Sequence, residues 1–159
     1  MSVKNGYEET LLNTCYEGYT DVVSILLKHG PQNNHKCIYE ALCIACEKGF
    51  FDIVKLFIEE GIDINNIDST GKTALMYAVL EKHNDIAKLL IDHGANVYTE
   101  DQFKRYTVMD YAILSENFNI IKLLFTMDTN LVLSVDKKHK QEVMKYYEEF
   151  LLEKCKEQI

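Results

Sequence analysis

The residues whose types and spacing could support chemistry lie in one short segment: His35, Cys37, Cys43 and Cys46. Cysteine and histidine are common protein ligands of zinc, and on a helix the spacing Cys43-x-x-Cys46 puts both sulfur atoms on one face. A metal or redox sensor is therefore one hypothesis for this segment. The alternative is that the cysteines are core residues, because a buried cysteine behaves as a small hydrophobic side chain.

The sequence contains no recognisable catalytic motif. It has no glycine-rich phosphate loop, no Gly-x-Ser-x-Gly nucleophile elbow and no paired histidines at the spacing of a metal-binding helix. The acidic residues Asp21, Asp52 and Asp85 each precede an apolar run and are interpreted as helix starts. We therefore predict that the protein is not an enzyme and uses no cofactor.

Charge and hydropathy restrict the classes of partner. The 159 residues include 25 acidic and 17 basic ones, and this net charge of −8 argues against nucleic acid or an anionic membrane as partner. No apolar run approaches the ~18–20 residues of a membrane span, and residues 1–10 contain no signal-peptide pattern. These absences, with no Asn-x-Ser/Thr acceptor, make a reducing cytoplasm the expected location, with delivery into a host cell left open. The five cysteines are an odd number and cannot all pair within the chain.

The elements that would position these residues form an internal repeat. Four segments align, and their first residues are 31, 33 and 34 positions apart: Asp21, Asp52, Asp85 and Asn119. Each is followed by apolar residues at helical spacing, such as Ile86, Leu89 and Leu90. The presence of a single proline, Pro31, also favours a mostly helical structure.

A second predicted helix precedes each of these segments. Small residues share one register in it, where they would let neighbouring helix pairs approach closely: Thr14, Ala45, Ala78 and Ala112. In the next register Cys46 aligns with Cys15, Val79 and Ile113. This alignment favours core packing over metal binding for the cysteines.

Glycine and histidine mark the predicted helix ends. Gly30, Gly61 and Gly94 occupy the same offset, where we expect the left-handed conformation of a C-terminal cap. His29 and His93 directly precede two of them, where a cation complements the helix dipole. His83 is expected to make a local contact in the turn between paired helices.

This pattern resembles the ankyrin repeat. The family's Thr-Pro-Leu-His-x-Ala motif appears as Thr73-Ala-Leu-Met-Tyr-Ala78, whereas Glu9 and Glu40 replace the threonine in the first two copies. The resemblance implies an all-α, ankyrin-like solenoid of about four helix-turn-helix repeats within a single domain, 1–159. The predicted repeats cover approximately 5–34, 35–67, 68–100 and 101–130.

Residues 136–157 do not fit a fifth copy and are interpreted as a long C-terminal capping helix. Its expected apolar face consists of Val143, Tyr147, Phe150, Leu151 and Cys155. The protein is expected to be a monomer. The alternative is a self-associating structural protein, with Tyr146 and Phe150 of this helix in a homodimer seam.

The resemblance also implies a binding surface, since ankyrin-like stacks bind partners on a concave face built from first helices and hairpin tips. The corresponding first-helix positions are Tyr16, Glu17, Glu47, Lys48, Leu80, Glu81, Leu114 and Ser115. The corresponding tip positions are Tyr39, Ser69, Thr70, Lys72, Phe103, Arg105 and Tyr106. The tip within 98–106 is longer than its counterparts and combines the only arginine with three aromatic residues, which are types that dominate binding hot spots.

The predicted function is non-enzymatic protein–protein interaction through this concave face. Glu17, Glu47 and Glu81 are expected to form one acidic column, which predicts a partner protein with a basic surface patch. The alternatives are the cysteine/histidine metal or redox sensor and self-association through the C-terminal helix.

Overall fold

The computed structural model describes residues 3–30, 35–128, 131 and 135–156, and only the backbone of residues 3–5 and 155. Pro31 therefore lies outside the described residues. The described residues form nine α-helices and no strand, which confirms the predicted all-α class. The helices are α1 (Val3–Glu17), α2 (Thr20–His29), α3 (His35–Lys48), α4 (Phe51–Glu59), α5 (Ala74–Leu80), α6 (Asn84–Asp92), α7 (Val108–Leu114), α8 (Phe118–Met127) and α9 (Lys140–Lys156).

The helices stack as antiparallel pairs in two rows. The inner row consists of α1, α3, α5 and α7, the outer row consists of α2, α4, α6 and α8, and each helix contacts its neighbours in the same row. The last helix, α9, packs against α8. None of the described helices has the length and apolar character needed to span a bilayer.

Each helix pair is joined by the same tight turn. A backbone N–H after the turn donates to the carbonyl of the small inner-helix residue, as in Tyr19 N to Thr14 O (2.9 Å) and His83 N to Ala78 O (2.8 Å). The backbone adopts a positive φ at the equivalent turn residues, which are Gly18, Gly49, Lys82 and Glu116. These contacts fix the alignment of the four inner helices residue by residue.

The small inner-helix residues lie in the core, as predicted. Ala45, Ala78 and Ala112 are fully buried and Thr14 is nearly so. The next register, with Cys15, Cys46, Val79 and Ile113, is also buried. The stack is therefore held together by close contact between small side chains, which excludes larger ones at these positions.

The lengths of the inner helices follow from the presence or absence of an N-terminal threonine. Thr73 caps α5, with its Oγ1 accepting from Met76 N at 3.3 Å, and α5 has only seven residues. Thr107 precedes α7, which also has seven residues. Where Glu9 and Glu40 replace threonine, the helix continues in the N-terminal direction, and α1 and α3 have 15 and 14 residues.

The predicted helix starts of the outer row are displaced. Asp21, Asp52 and Asp85 lie in the first turn of α2, α4 and α6, and the N-cap positions are Tyr19, Phe50 and His83. The aspartates therefore act on the helix dipole from within the first turn rather than as capping residues.

Gly61 and Gly94 have φ of +72° and +86°, the left-handed conformation expected after a helix. The prediction for Gly30 is wrong, because its φ is −78°. The Tyr7 ring packs directly on Gly30, and its hydroxyl donates to Leu26 O at 3.1 Å, so a Cβ at Gly30 would collide with the ring. Gly30 is thus required for close packing of α1 on the end of α2.

The helix α9 covers the end of the stack. Val143 and Phe150 are buried, and the Phe150 ring lies 5.5 Å from Phe125 of α8. The prediction that Leu151 shares this face is wrong, since Leu151 is 43% exposed. Consecutive residues are rotated by about 100° around a helix axis, and burial of Phe150 turns Leu151 outward. The predicted role of Cys155 concerns a side chain outside the described part of the chain.

A buried polar contact fixes the start of α9. Asp110 of α7 accepts from Asp136 N at 3.0 Å, and His139 Nδ1 lies 3.0 Å from the same carboxylate oxygen. Both side chains are almost completely buried. This contact ties the segment before α9 to the last inner helix.

Candidate functional site

The predicted cysteine and histidine cluster is dispersed in the structure. Cys15, Cys37, Cys43 and Cys46 are buried, whereas His35 is exposed at the start of α3. Burial raises the pKa of Cys15 to about 12 and that of Cys37 to about 11, which makes the reactive thiolates scarce. No group of three or more His, Cys, Asp or Glu within the described ranges could hold a metal ion.

Two hairpins directly precede the inner helices α5 and α7 in the chain. In the first, which we call hairpin A (residues 68–72), Asp68 Oδ1 accepts from Thr70 N at 2.8 Å and from Lys72 N at 3.0 Å. Tyr77 of α5 donates its hydroxyl to Asp68 Oδ2 at 2.7 Å. The aspartate therefore closes the turn and ties it to the inner helix.

The second hairpin, hairpin B (residues 101–106), is built in the same way around Asp101. Asp101 Oδ1 accepts from Phe103 N at 2.8 Å and from Lys104 N at 2.6 Å, and Tyr111 of α7 donates to Oδ2 at 2.8 Å. Hairpin B is one residue longer, because Asp101 N donates to Tyr106 O whereas Asp68 N donates to Lys72 O. Phe103 and Lys104 of this longer hairpin are both exposed.

The pKa values of the hairpin aspartates and of Tyr111 follow from their burial and their hydrogen bonds. Burial alone would raise the pKa of Asp68 and Asp101, but the bonds from the tyrosine hydroxyls and the turn amides lower both pKa values below the ordinary range. Burial, followed by the bond to the carboxylate, raises the pKa of Tyr111. The carboxylates are therefore ionised and the tyrosines neutral at physiological pH.

Between the two hairpins lies a cleft of about 240 Å³, here called the lysine cleft. Phe103, which is 75% exposed, and Leu114, which is 46% exposed, form its apolar part together with half-buried Leu80. The remaining lining residues are Thr70, Lys72, Asp101, Lys104 and Tyr111. Exposed apolar side chains with a polar rim are typical of a docking surface.

On the other side of hairpin A lies a second cleft of about 210 Å³, here called the acidic cleft. Its charged lining residues are Glu40, Glu47 and Asp68, and no lining residue is a lysine or arginine. The other lining residues are Leu12, Cys43, Ile44, Ser69 and Tyr77. The two clefts therefore lie side by side on the same face of the stack.

Most of the predicted surface residues are exposed or half-buried in the structure. The exposed ones are Tyr16, Glu17, Glu47, Lys48, Ser69, Thr70, Glu81, Phe103, Arg105 and Leu114, and the half-buried ones are Lys72, Leu80, Tyr106 and Ser115. Tyr39 was wrongly placed at a tip, since it is 2% exposed and lies within α3, where its hydroxyl accepts from Ala74 N at 2.9 Å. The cause is the N-terminal extension of α3, which places Tyr39 inside a helix packed on the next repeat.

The expected acidic column is wrong. The equivalent turn hydrogen bonds of Thr14, Ala45 and Ala78 make Lys48 the counterpart of Glu17 and Glu81. Lys48 therefore stands between the two glutamates, and its Nζ lies 4.2 Å from the centre of the Tyr16 ring. The acidic side chains are instead grouped in the acidic cleft, which Glu40, Glu47 and Asp68 line.

His83 makes an inter-repeat contact rather than the expected local one. Its Nε2 lies 3.1 Å from Glu47 O of the preceding repeat, and its ring packs against Gly49. Any side chain at Gly49 would meet this ring at 2.5 Å. The contact fixes the spacing between the second and third repeats.

The two α9 residues of the predicted homodimer seam both contact α8. Phe150 packs on Phe125, and the ring of Tyr146 lies 5.2 Å from that of Phe118. Phe150 is buried and Tyr146 is half-buried in these contacts, and self-association through α9 stays a prediction.

Sequence reasoning missed Glu40, Asp101, Lys104 and Tyr111 as residues of the clefts. The available signal was the repeated pairing of an aspartate with a tyrosine nine or ten residues later, Asp68 with Tyr77 and Asp101 with Tyr111. Such a pair in two copies indicates a hairpin anchored on its inner helix.

Comparison with known proteins identifies similar sequences in viruses and a bacterium. A family model described as ankyrin repeats (3 copies) matches residues 11–101. A putative ankyrin repeat protein of Acanthamoeba polyphaga mimivirus is 35% identical over 85 residues, which are 54% of this chain and 47% of that protein.

Two further relatives have comparable similarity. A putative ankyrin repeat-containing protein of Treponema pallidum (strain Nichols) is 36% identical over 89 residues, covering 54% of this chain and 30% of that protein. An ankyrin repeat protein of Variola virus is 31% identical over 146 residues, covering 85% of this chain and 25% of that protein. This chain thus spans less than half the length of each of these relatives.

Proposed function

Because the chain belongs to the ankyrin-repeat family, we propose that it binds another protein through the two clefts of its concave face and catalyses no reaction. Ankyrin repeats in general mediate protein–protein interaction, and their fold is a non-enzymatic interaction fold. The proposal adds where on this chain the partner binds and which residues anchor it.

The observation that carries the proposal is the exposed aromatic side chain of Phe103 on an anchored hairpin. The Phe103 amide is held by Asp101, and the side chain stands beside Leu80 and Leu114 with 75% of its surface in water. Aromatic residues dominate binding hot spots, and a backbone that is already anchored loses less conformational entropy on binding. Phe103 is therefore the proposed anchor.

Charge supports the same location. Glu40 and Glu47 line the acidic cleft without a neighbouring cation among its lining residues, which favours a partner with lysine or arginine at this point. The proposed effect on the partner is occupancy of its surface: the partner is blocked, sequestered or scaffolded.

The experiment is site-specific photo-crosslinking with the full chain. A benzophenone amino acid replaces Phe103 in one variant and exposed Ile25 of α2 in the control, and crosslinked proteins are identified by mass spectrometry. We expect a protein captured at Phe103 and not at Ile25. Capture of the same protein only from Ile25 would overturn the proposed surface.

Affinity of the captured partner then measures the anchor. Phe103→Ala is expected to weaken binding by about 2 kcal/mol, or ~30-fold, as found for hot-spot aromatics. Glu47→Lys, made separately, is also expected to weaken binding of the partner. The matched charge control is Glu59→Lys on the outer helix α4. Equal loss in the two charge variants would show a general charge effect and contradict a local cation site.

A further inference from the structure

Hairpin A separates two clefts of opposite charge. Asp68, Ser69 and Tyr77 line the acidic cleft, while Thr70 and Lys72 of the same hairpin line the lysine cleft. A ligand that fills both clefts must therefore cross one hairpin. The surface is suited to a narrow segment that changes chemistry along its length.

The lysine cleft combines apolar surface with available positive charge. Its one carboxylate, Asp101, accepts three hydrogen bonds from within the chain. Lys72 and Lys104 form no salt bridge among the described residues, and their Nζ atoms lie 5.2 and 5.6 Å from the centres of the Tyr77 and Tyr106 rings. Both lysines line the cleft, and neither ammonium group has an anionic partner among the described residues.

The acidic cleft has the opposite charge. Glu40 and Glu47 project from α3, and neither forms a salt bridge in the described part of the chain. Asp68, in contrast, is already bonded to hairpin A and to Tyr77. Two carboxylates are therefore available on one side of hairpin A, and two ammonium groups with apolar side chains on the other.

We propose, resting on the proposed function, that the partner contributes a linear segment with separated charges. A lysine or arginine of the segment lies in the acidic cleft. A bulky apolar side chain packs on Leu80, Phe103 and Leu114 in the lysine cleft, and an adjacent aspartate or glutamate pairs with Lys72 or Lys104.

The spacing of the clefts defines the segment further. Packed helices lie about 8–10 Å apart, and the clefts are displaced from each other by one inner helix. An extended chain advances about 3.3–3.6 Å per residue, so the apolar residue lies about two to three positions along the segment from the basic one. The basic patch expected on the partner is thus one end of a motif whose other end is apolar and acidic.

The test uses labelled synthetic peptides and the full chain, with binding followed by fluorescence anisotropy. The first peptide has two lysines, a short Ser/Gly spacer, a leucine and two aspartates. The second has the same composition with lysines and aspartates alternating, and both are also made in the reversed order. We expect one direction of the first peptide to bind about tenfold more tightly than either alternating peptide.

Charge reversal identifies the cleft. Lys104→Glu is expected to weaken the segregated peptide about fivefold, and replacing its aspartates by lysines is expected to restore binding to this variant. Lys88→Glu on outer helix α6 is the matched control and should leave binding unchanged. Restored binding also shows that the variant is folded.

The outcomes separate this inference from the proposed function. If a partner crosslinks at Phe103 while segregated and alternating peptides bind equally, the charge-separated motif is refuted and the concave surface remains. If that partner crosslinks and no peptide binds, the linear segment is refuted in favour of a folded partner surface. Absence of crosslinking at Phe103 refutes the proposed function itself.

Discussion

Replacement of Tyr111 by phenylalanine tests whether the hairpin anchor determines the binding surface. The Tyr111 hydroxyl donates to Asp101 Oδ2 at 2.8 Å, and both residues are almost completely buried. A hydrogen bond to a charged group contributes about 1.5–3 kcal/mol, and its loss leaves a buried carboxylate oxygen with one donor fewer. We therefore expect Tyr111→Phe to lower the free energy of unfolding by about this amount.

Tyr111→Phe should also reduce the local stability of hairpin B. The amides of Phe103 and Lys104 donate to the same carboxylate, at 2.8 and 2.6 Å, and they become less protected when the carboxylate is less firmly held. Hydrogen exchange of these two amides should therefore accelerate about 10-fold or more, since 1.4 kcal/mol corresponds to a factor of ten. Chemical denaturation gives the global value and exchange gives the local one.

The matched control is Tyr106→Phe. The Tyr106 ring is half-buried and packs on Tyr111 and His139, but within the described structure its hydroxyl makes no hydrogen bond. This change should cost under about 0.5 kcal/mol. If Tyr111→Phe and Tyr106→Phe have the same small effect on stability and on exchange at Phe103, the hairpin is not held by the tyrosine–aspartate pair, and the reasoning is refuted.

Three other perturbations have defined outcomes. In urea titrations, Gly49→Ala should lower the free energy of unfolding more than Gly61→Ala. Both glycines have a positive φ, which costs an alanine about 1 kcal/mol, but only at Gly49 would the Cβ meet a neighbouring ring. Equal losses in the two variants would contradict this expectation. The pKa of Asp68 is lowered in the folded state, so its stabilising contribution is present above the unfolded pKa of about 3.9 and is lost as pH falls through the folded value. Asp68→Asn should therefore flatten the acid limb of a curve of stability against pH. An unchanged acid limb would contradict this contribution of Asp68. The thiols of Cys15 and Cys37 should react with iodoacetamide at neutral pH far more slowly in the native chain than in urea, as followed by peptide mapping; rapid native labelling would show that they are not buried.

The family and the all-α stack could be predicted because they depend on local signals. The period of the apolar segments defines the outer helices, and the small residues Ala45, Ala78 and Ala112 define the packing layer. Each of these signals lies within one repeat and recurs in the next. Repetition makes such signals reliable, since an accidental pattern does not recur at the same spacing.

The errors occur where a residue's role depends on contact with another helix. Gly30 has an ordinary φ, and glycine is needed there because the Tyr7 ring of α1 occupies the space of a side chain. Tyr39 is buried because α3 is extended and its hydroxyl reaches Ala74 of the next repeat. Neither contact leaves a periodic trace in the sequence.

The sequence by itself determined the repeat, the helical class and the family of this protein, because period, helix register and small residues are properties of positions along the chain. The tertiary structure alone decided which charges share a cleft. Glu40 and Glu47 share one cleft on one side of hairpin A, and Lys104 lies in the other cleft beside Lys72, although Lys72 and Lys104 are far apart in the chain. Such proximity arises from packing of one repeat on the next, and the binding chemistry depends on it.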